Sequence, residues 1–73
     1  MLEDHLKKAE QHIRLGEHDL AHQREVIETL RRDGHDTTTA VDLLATFEQL
    51  QAAHIADRDR ILKELSTFNK SVS

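Results

Sequence analysis

The 73-residue sequence contains no cysteine, no proline, no tryptophan and no tyrosine, and only two glycines. Disulfide bonds and thiol nucleophiles are therefore excluded, and no proline interrupts a helix. Chains below roughly 70–80 residues seldom form a sufficient core without disulfides, metal or oligomerisation, so self-association becomes the leading source of stability. No apolar run approaches the ~18 residues of a transmembrane helix, and the N-terminal segment does not resemble a signal peptide. We expect a cytoplasmic protein without membrane association.

The charged residues give a mildly acidic chain, with 10 Lys and Arg, 14 Asp and Glu, and a formal net charge of −4. A chain of negative net charge has no bulk attraction for nucleic acid or acidic membranes, so such binding would need a local basic patch. Protonation of all six histidines would reverse the sign of the net charge. A pH sensor is therefore an alternative to six solvated imidazoles.

A short polar segment around Gly34 divides the chain into two parts with helical periodicity. Gly34 suits the C′ position of a helix because glycine adopts left-handed conformations without steric cost, and the Asp36 carboxylate can cap the next helix. The predicted elements are helix 1 over about 2–32, a turn over 33–36, helix 2 over about 37–68 and a frayed tail over 69–73. So short a turn requires an antiparallel, all-α helical hairpin in a single domain.

Both helices carry a strict 4-3-4-3 series of residues, which is typical of the a and d positions of a coiled coil. We call these two series the seam. In helix 1 the seam consists of Leu2, Leu6, Ala9, Ile13, Gly16, Leu20, Gln23, Ile27 and Leu30. In helix 2 it consists of Ala40, Leu44, Phe47, Gln51, His54, Arg58, Ile61, Leu65 and Phe68. The helices are predicted to pack along the seam.

Further apolar residues lie beside the seam, and they are more numerous than one pair of helices needs. They are Leu43, Leu50, Ile55 and Leu62 in helix 2, and Leu15 and Val26 in helix 1. So wide an apolar stripe favours a helix that contacts two or three neighbours, as in a four-helix bundle. We therefore predict a homodimer of two hairpins with these six residues at the interface.

The seam also contains residues that are not apolar, and we predict that they form a polar core: Gly16, Gln23, Gln51, His54 and Arg58. If the turn centres near His35, Gly16 falls opposite His54. A glycine inside a helix costs about 1 kcal/mol relative to alanine, so a close approach should accompany it. We expect the His54 ring to lie over Gly16 and to find a hydrogen-bond partner, with Gln23, Gln51 and a residue of the second subunit as candidates.

Buried polar residues of this kind fix the register of coiled coils, and this is the ordinary interpretation of His54; a ligand-binding histidine is the alternative. Gln23 is expected opposite Phe47. Arg58 is expected near Ile13, with its stem along the seam and its guanidinium reaching outward or to a carboxylate.

No metal, cofactor or catalytic site is predicted. His18 and His22 stand four residues apart with Asp19 between them, a spacing that can direct two ligands toward one ion. Both histidines fall at outward positions, where zinc binding would be adventitious, so these three residues are weak candidates. The sequence has no glycine-rich phosphate loop and no G-x-S-x-G turn. We predict that the chain is not an enzyme.

Nucleic-acid binding is the competing interpretation. Six basic residues fall on the outer side of helix 1: Lys7, Lys8, Arg14, Arg24, Arg31 and Arg32. The predicted topology resembles the small plasmid-encoded RNA-binding hairpin dimers that regulate copy number, and this likeness implies an RNA-binding modulator. Acidic residues interleave with the basic ones, which favours surface ion pairs instead.

The sequence also carries a pattern shared with other small proteins. It comprises His12-x3-Gly16-Glu17, Gln23-Arg24, Gly34-His35-Asp36-Thr37, Leu43-Leu44-x2-Phe47-Glu48 and His54-x3-Arg58, over roughly residues 9–65. The pattern resembles uncharacterised small alphaproteobacterial helical-hairpin proteins, and the Gly-His-Asp-Thr turn is its most specific part. The resemblance implies a cytoplasmic bacterial protein with no catalytic residues to carry over. The predicted function is a non-enzymatic helical interaction or adaptor module acting as a homodimer. An RNA modulator is the alternative, and a metal- or pH-responsive helical protein is the third candidate.

Overall fold

The computed structural model describes residues 1–72, with side chains described for residues 1–68. Helix α1 spans Leu2–Arg32 (31 residues) and helix α2 spans Thr38–Val72 (35 residues). The two helices pack against each other along their length in a rod of 61 × 14 × 13 Å. Residues 1–72 contain no strand. The predicted all-α helical hairpin is confirmed.

The turn is built around Gly34, which adopts a left-handed conformation with φ +76°. Its N–H donates to the Arg31 carbonyl at 3.2 Å, and the His35 N–H donates to the Leu30 carbonyl at 2.9 Å. These two bonds form a Schellman motif, which satisfies carbonyl groups that the end of α1 would otherwise leave unpaired. Glycine is needed here because other residues pay a steric cost at positive φ.

The start of α2 lies one residue later than predicted, at Thr38. The Asp36 carboxylate accepts the Thr38 N–H at 3.0 Å and the Thr38 hydroxyl at 2.7 Å. The Thr37 carbonyl accepts the Val41 N–H at 2.8 Å, which is the first helical hydrogen bond. Asp36 therefore satisfies an N–H of the first turn, as a capping carboxylate does.

The end of α2 differs more from the prediction. The helix continues to Val72, four residues beyond the expected end near residue 68 and into the segment where the sequence suggested a frayed tail. Neither proline nor glycine occurs there, and nothing in the local sequence terminates the helix. Ser73 lies outside the described residues.

The core consists of seam residues from both helices. Its buried apolar members are Ala9, Ile13, Leu20, Ile27 and Ile61, and its buried polar members are Gln23 and Gln51. No side chain among residues 1–68 is less than 2% exposed. The seam therefore holds the hairpin together without enclosing any side chain completely.

The apolar residues beside the seam lie on two opposite sides of the hairpin. Each residue of an α-helix is rotated by about 100° from the one before it. Residues that precede a seam residue therefore lie on one side, and in an antiparallel pair this side is the same for both helices. Leu15, Val26, Leu43 and Leu50 precede seam residues, and we call this side the groove flank. Ile55 and Leu62 follow seam residues and lie on the opposite flank. The six predicted interface residues thus do not form one surface.

Candidate interaction surface and the polar centre of the seam

The Gln51 side chain, and not the His54 ring, lies over Gly16. A Cβ atom built on Gly16 would lie 2.7 Å from Gln51 Cδ and closer still to Gln51 Oε1, which no real Cβ tolerates. Gln51 Nε2 donates to the Ile13 carbonyl at 2.9 Å in a buried position. The glycine therefore admits an amide that crosses the seam and bonds to the backbone of α1.

The expected pairing of Gly16 with His54 is wrong by almost one helical turn. Seam residues recur every three or four positions, so a shift of one helix along the other by one seam position gives an equivalent spacing, and the sequence does not distinguish the two pairings. The close fit of the Gln51 amide over Gly16 selects the pairing of Gly16 with Gln51. A turn centre near His35 locates the residue opposite Gly16 only to within one helical turn.

His54 lies beside this amide and is half-buried. Its Nδ1 is 3.3 Å from Gln51 Oε1. A backbone carbonyl only accepts hydrogen bonds, so the Gln51 NH2 group must face Ile13 and its oxygen must face His54. The His54 Nδ1 is therefore the donor, and in the neutral ring Nε2 holds the lone pair. The His54 ring also approaches His12 of α1, with ring centroids 5.4 Å apart.

The remaining predicted polar residues make separate contacts. Gln23 Nε2 donates to the Ala40 carbonyl at 2.9 Å, so Gln23 bonds to the backbone at the start of α2 rather than lying opposite Phe47 as expected. Arg58 is half-buried, and its guanidinium donates to Asp59 Oδ1 at 3.0–3.1 Å. Two glutamines thus tie the helices together at different levels, whereas Arg58 bonds to its neighbour in the chain.

A groove of about 170 Å³ opens on the groove flank at the level of this amide. Its walls are His12, Leu15, Gly16 and Asp19 from α1, and Phe47, Leu50, Gln51 and His54 from α2. Leu15 is 55% exposed and Leu50 is 51% exposed. Two leucines that are half exposed therefore border an apolar depression that is also lined by His12 and His54.

The groove flank becomes polar toward the free ends of the hairpin. Arg60 forms ion pairs with Asp57 and with Glu64, both within α2 and both exposed. The hydrogen bond and the charge of Asp57 raise the pKa of the Arg60 guanidinium above its ordinary value, so this side chain stays charged. Exposed pairs of this kind contribute little stability. The apolar part of the groove flank is therefore the half nearer the turn.

The three weak metal candidates do not converge. His18, Asp19 and His22 are all exposed. Asp19 borders the groove, and His22 borders a separate depression beside Val26. Within the part of the chain that the structure describes, no three His, Cys, Asp or Glu side chains are placed to hold one ion.

His12 is the site residue that sequence reasoning missed. It precedes the seam residue Ile13, so the order of residues along the seam would have placed it on the groove flank. Comparisons of this chain with protein-family models, with curated proteins and with solved structures find no match. Over residues 1–72, neither helix has an apolar stretch long enough to span a bilayer.

Proposed function

We propose that this chain is a non-enzymatic helical interaction module that acts as a homodimer. Two hairpins pack groove flank against groove flank and form one four-helix bundle. The observation that carries the proposal is the pair Leu15 and Leu50, each about half exposed on the rim of an apolar groove. Contiguous apolar surface with a polar border is typical of a protein–protein interface.

The exposed area of the hairpin supports an assembly of this size. A compact monomer of 8.4 kDa exposes roughly 4,600 Å² of surface. The hairpin exposes 5689 Å², an excess of roughly 1,100 Å². A stable interface takes about 800 Å² from each partner. The excess area is therefore enough for one such interface per chain.

A second copy of the chain is the occupant that fits this face. One long side of the rod, 61 by 14 Å, has a projected area of roughly 850 Å², so a partner must be about as long as the hairpin to bury a standard interface. Each copy offers both a groove and protruding leucines, as a two-fold symmetric contact requires. Toward the free ends, Arg60 lies between Asp57 and Glu64, so the two copies do not meet through a block of like charge.

Light scattering coupled to size exclusion tests the proposal. We expect the wild-type chain to elute with twice its mass of 8.4 kDa at tens of micromolar, and Leu50→Glu to elute as a monomer. Leu62→Glu is the matched control, because Leu62 is similarly exposed (45%) but lies on the opposite flank. This variant should remain a dimer. Detection needs refractive index, since the chain has no tryptophan or tyrosine.

A monomeric wild-type chain would refute the dimer. Dissociation by Leu62→Glu with an intact Leu50→Glu dimer would refute the groove flank as the interface. Far-UV circular dichroism of each variant confirms that it is still helical, and Leu43→Glu on the same flank replaces Leu50→Glu if that variant unfolds. In the proposed dimer Ile55 and Leu62 stay outside the interface, as the second face of an adaptor would.

A further inference from the structure

We propose that His12 and His54 form a two-histidine site for a divalent transition-metal ion such as Zn²⁺ or Ni²⁺, which would bridge α1 and α2 across the seam. The two ligands belong to one chain, so the proposal does not depend on the homodimer. In that dimer the remaining coordination positions would face the partner.

The separation of the two rings fits a shared ion. An imidazole nitrogen binds zinc at about 2.0–2.1 Å, and the ring centre lies roughly 1.2 Å behind the nitrogen. Two imidazoles at a tetrahedral angle therefore have ring centres roughly 5.2 Å apart. The centroids of His12 and His54 are 5.4 Å apart. The observed separation of the ring centres is therefore close to the value that a shared ion requires.

The tautomer of His54 also fits this role. Gln51 is held by its bond to the Ile13 carbonyl, and its own oxygen accepts the Nδ1 proton of His54. Histidines that bind metals usually donate their second N–H to a carbonyl or carboxylate, which fixes the ring and the tautomer. Here the amide oxygen of Gln51 accepts the Nδ1 proton of His54, and in the neutral ring Nε2 is the nitrogen left to bind a metal.

In the single hairpin the site is accessible, and the charges near it are of both signs. His12 is exposed, and the groove beside it is open to solvent. Asp19 borders this groove, while a second depression on the other side of His12 is bordered by His5, Lys8, Asp57 and Arg60. No third ligand from residues 1–68 stands close enough, so water would complete the coordination sphere.

A site built this way binds the folded hairpin and not the unfolded chain. His12 and His54 lie on different helices and meet only after folding, so a bound ion stabilises the folded state by mass action. His18 and His22 lie four residues apart on α1 and form a contrasting pair, because one isolated helix already brings them together. The two pairs therefore make opposite predictions about which substitutions abolish the effect of metal.

Thermal unfolding followed by circular dichroism, with and without 1 mM ZnCl2 or NiCl2 at pH 7.5, tests the site. We expect metal to raise the Tm of the wild-type chain by roughly 5 °C or more. The His18→Ala/His22→Ala variant should keep this rise, and His12→Ala and His54→Ala should each lose it.

Absence of a rise in the wild-type chain would overturn the proposal. A rise that survives His12→Ala, or one that is lost in the His18→Ala/His22→Ala variant, would do the same and would mark adventitious binding elsewhere. If His54→Ala does not fold, His12→Ala decides alone, since His12 is exposed and its removal leaves the core intact. Calorimetric titration of the metal should give one ion per chain and an undetectable heat in His12→Ala.

Discussion

Replacement of Gly16 by alanine should destabilise the protein, although alanine is the better helix former. At an open helical position this substitution gains about 1 kcal/mol. At Gly16 the new Cβ would lie 2.7 Å from Gln51 Cδ and nearer to Oε1, so the amide must leave its place. Loss of the buried bond to Ile13 leaves polar groups unsatisfied, which costs about 1–3 kcal/mol. The net change is a loss of about 1 kcal/mol, or roughly 4–8 °C in Tm.

A double-mutant cycle separates the two contributions. In a Gln51→Ala background there is no amide to displace, so Gly16→Ala should stabilise the chain by about 1 kcal/mol. Ala21→Gly, at an exposed position of the same helix, measures the difference in helix propensity between alanine and glycine alone. The sign of the Gly16→Ala effect should therefore reverse between the two backgrounds.

Circular dichroism at 222 nm is the appropriate assay, because the chain has no tryptophan or tyrosine for fluorescence. The chain concentration must be the same for all variants, since the Tm of a dimer depends on concentration. If Gly16→Ala alone stabilised the otherwise wild-type chain by the full difference in helix propensity between glycine and alanine, the close fit between Gly16 and Gln51 would be refuted.

The turn and the second glutamine give three further predictions. Gly34→Ala should cost about 1–2 kcal/mol because φ is +76° there, with Gly34→Asn recovering part of the loss; a thermal melt as stable as wild type would contradict this. The hydrogen bond from the Thr38 N–H lowers the pKa of Asp36 below its ordinary 3.8, so the stabilisation by this carboxylate is full above about pH 5 and is lost as the pH falls through the lower folded value. The Tm difference between wild type and Asp36→Ala should thus shrink between pH 5 and pH 2, and a constant difference would exclude the carboxylate as its source. Gln23→Ala should cost about 1 kcal/mol in urea denaturation, through the lost bond to Ala40, whereas the exposed Gln49→Ala should change stability by less than about 0.5 kcal/mol.

The fold could be predicted from the sequence because its signals are strong and local. The seam spacing persists over both helices, and the only glycine outside a helix interior stands where the chain reverses. The bounds of α1 required no tertiary information. The end of α2 was harder to predict, because no residue after Phe68 breaks a helix and the absence of seam residues does not itself unwind one.

The candidate site could be predicted only in part. Gly16, Gln51 and His54 were all identified as a polar cluster, but their contacts depend on the relative level of the two helices. At that level the Gln51 amide fills the space that a Cβ on residue 16 would occupy, and residue spacing does not encode this fit. The assignment of residues to the two flanks could have been predicted from the sequence. Whether each apolar residue precedes or follows its seam neighbour determines its flank, and the prediction of a single stripe did not use this order.

The two cross-seam amides also bear on how the hairpin forms. The bond from Gln23 to Ala40 closes a loop of 17 residues, and the bond from Gln51 to Ile13 closes one of 38. Loop closure makes the first contact cheaper by roughly 0.7 kcal/mol of chain entropy. We therefore expect the contact nearer the turn to form first, so that the bond from Gln23 to Ala40 aligns the two helices before Gln51 reaches the Ile13 carbonyl.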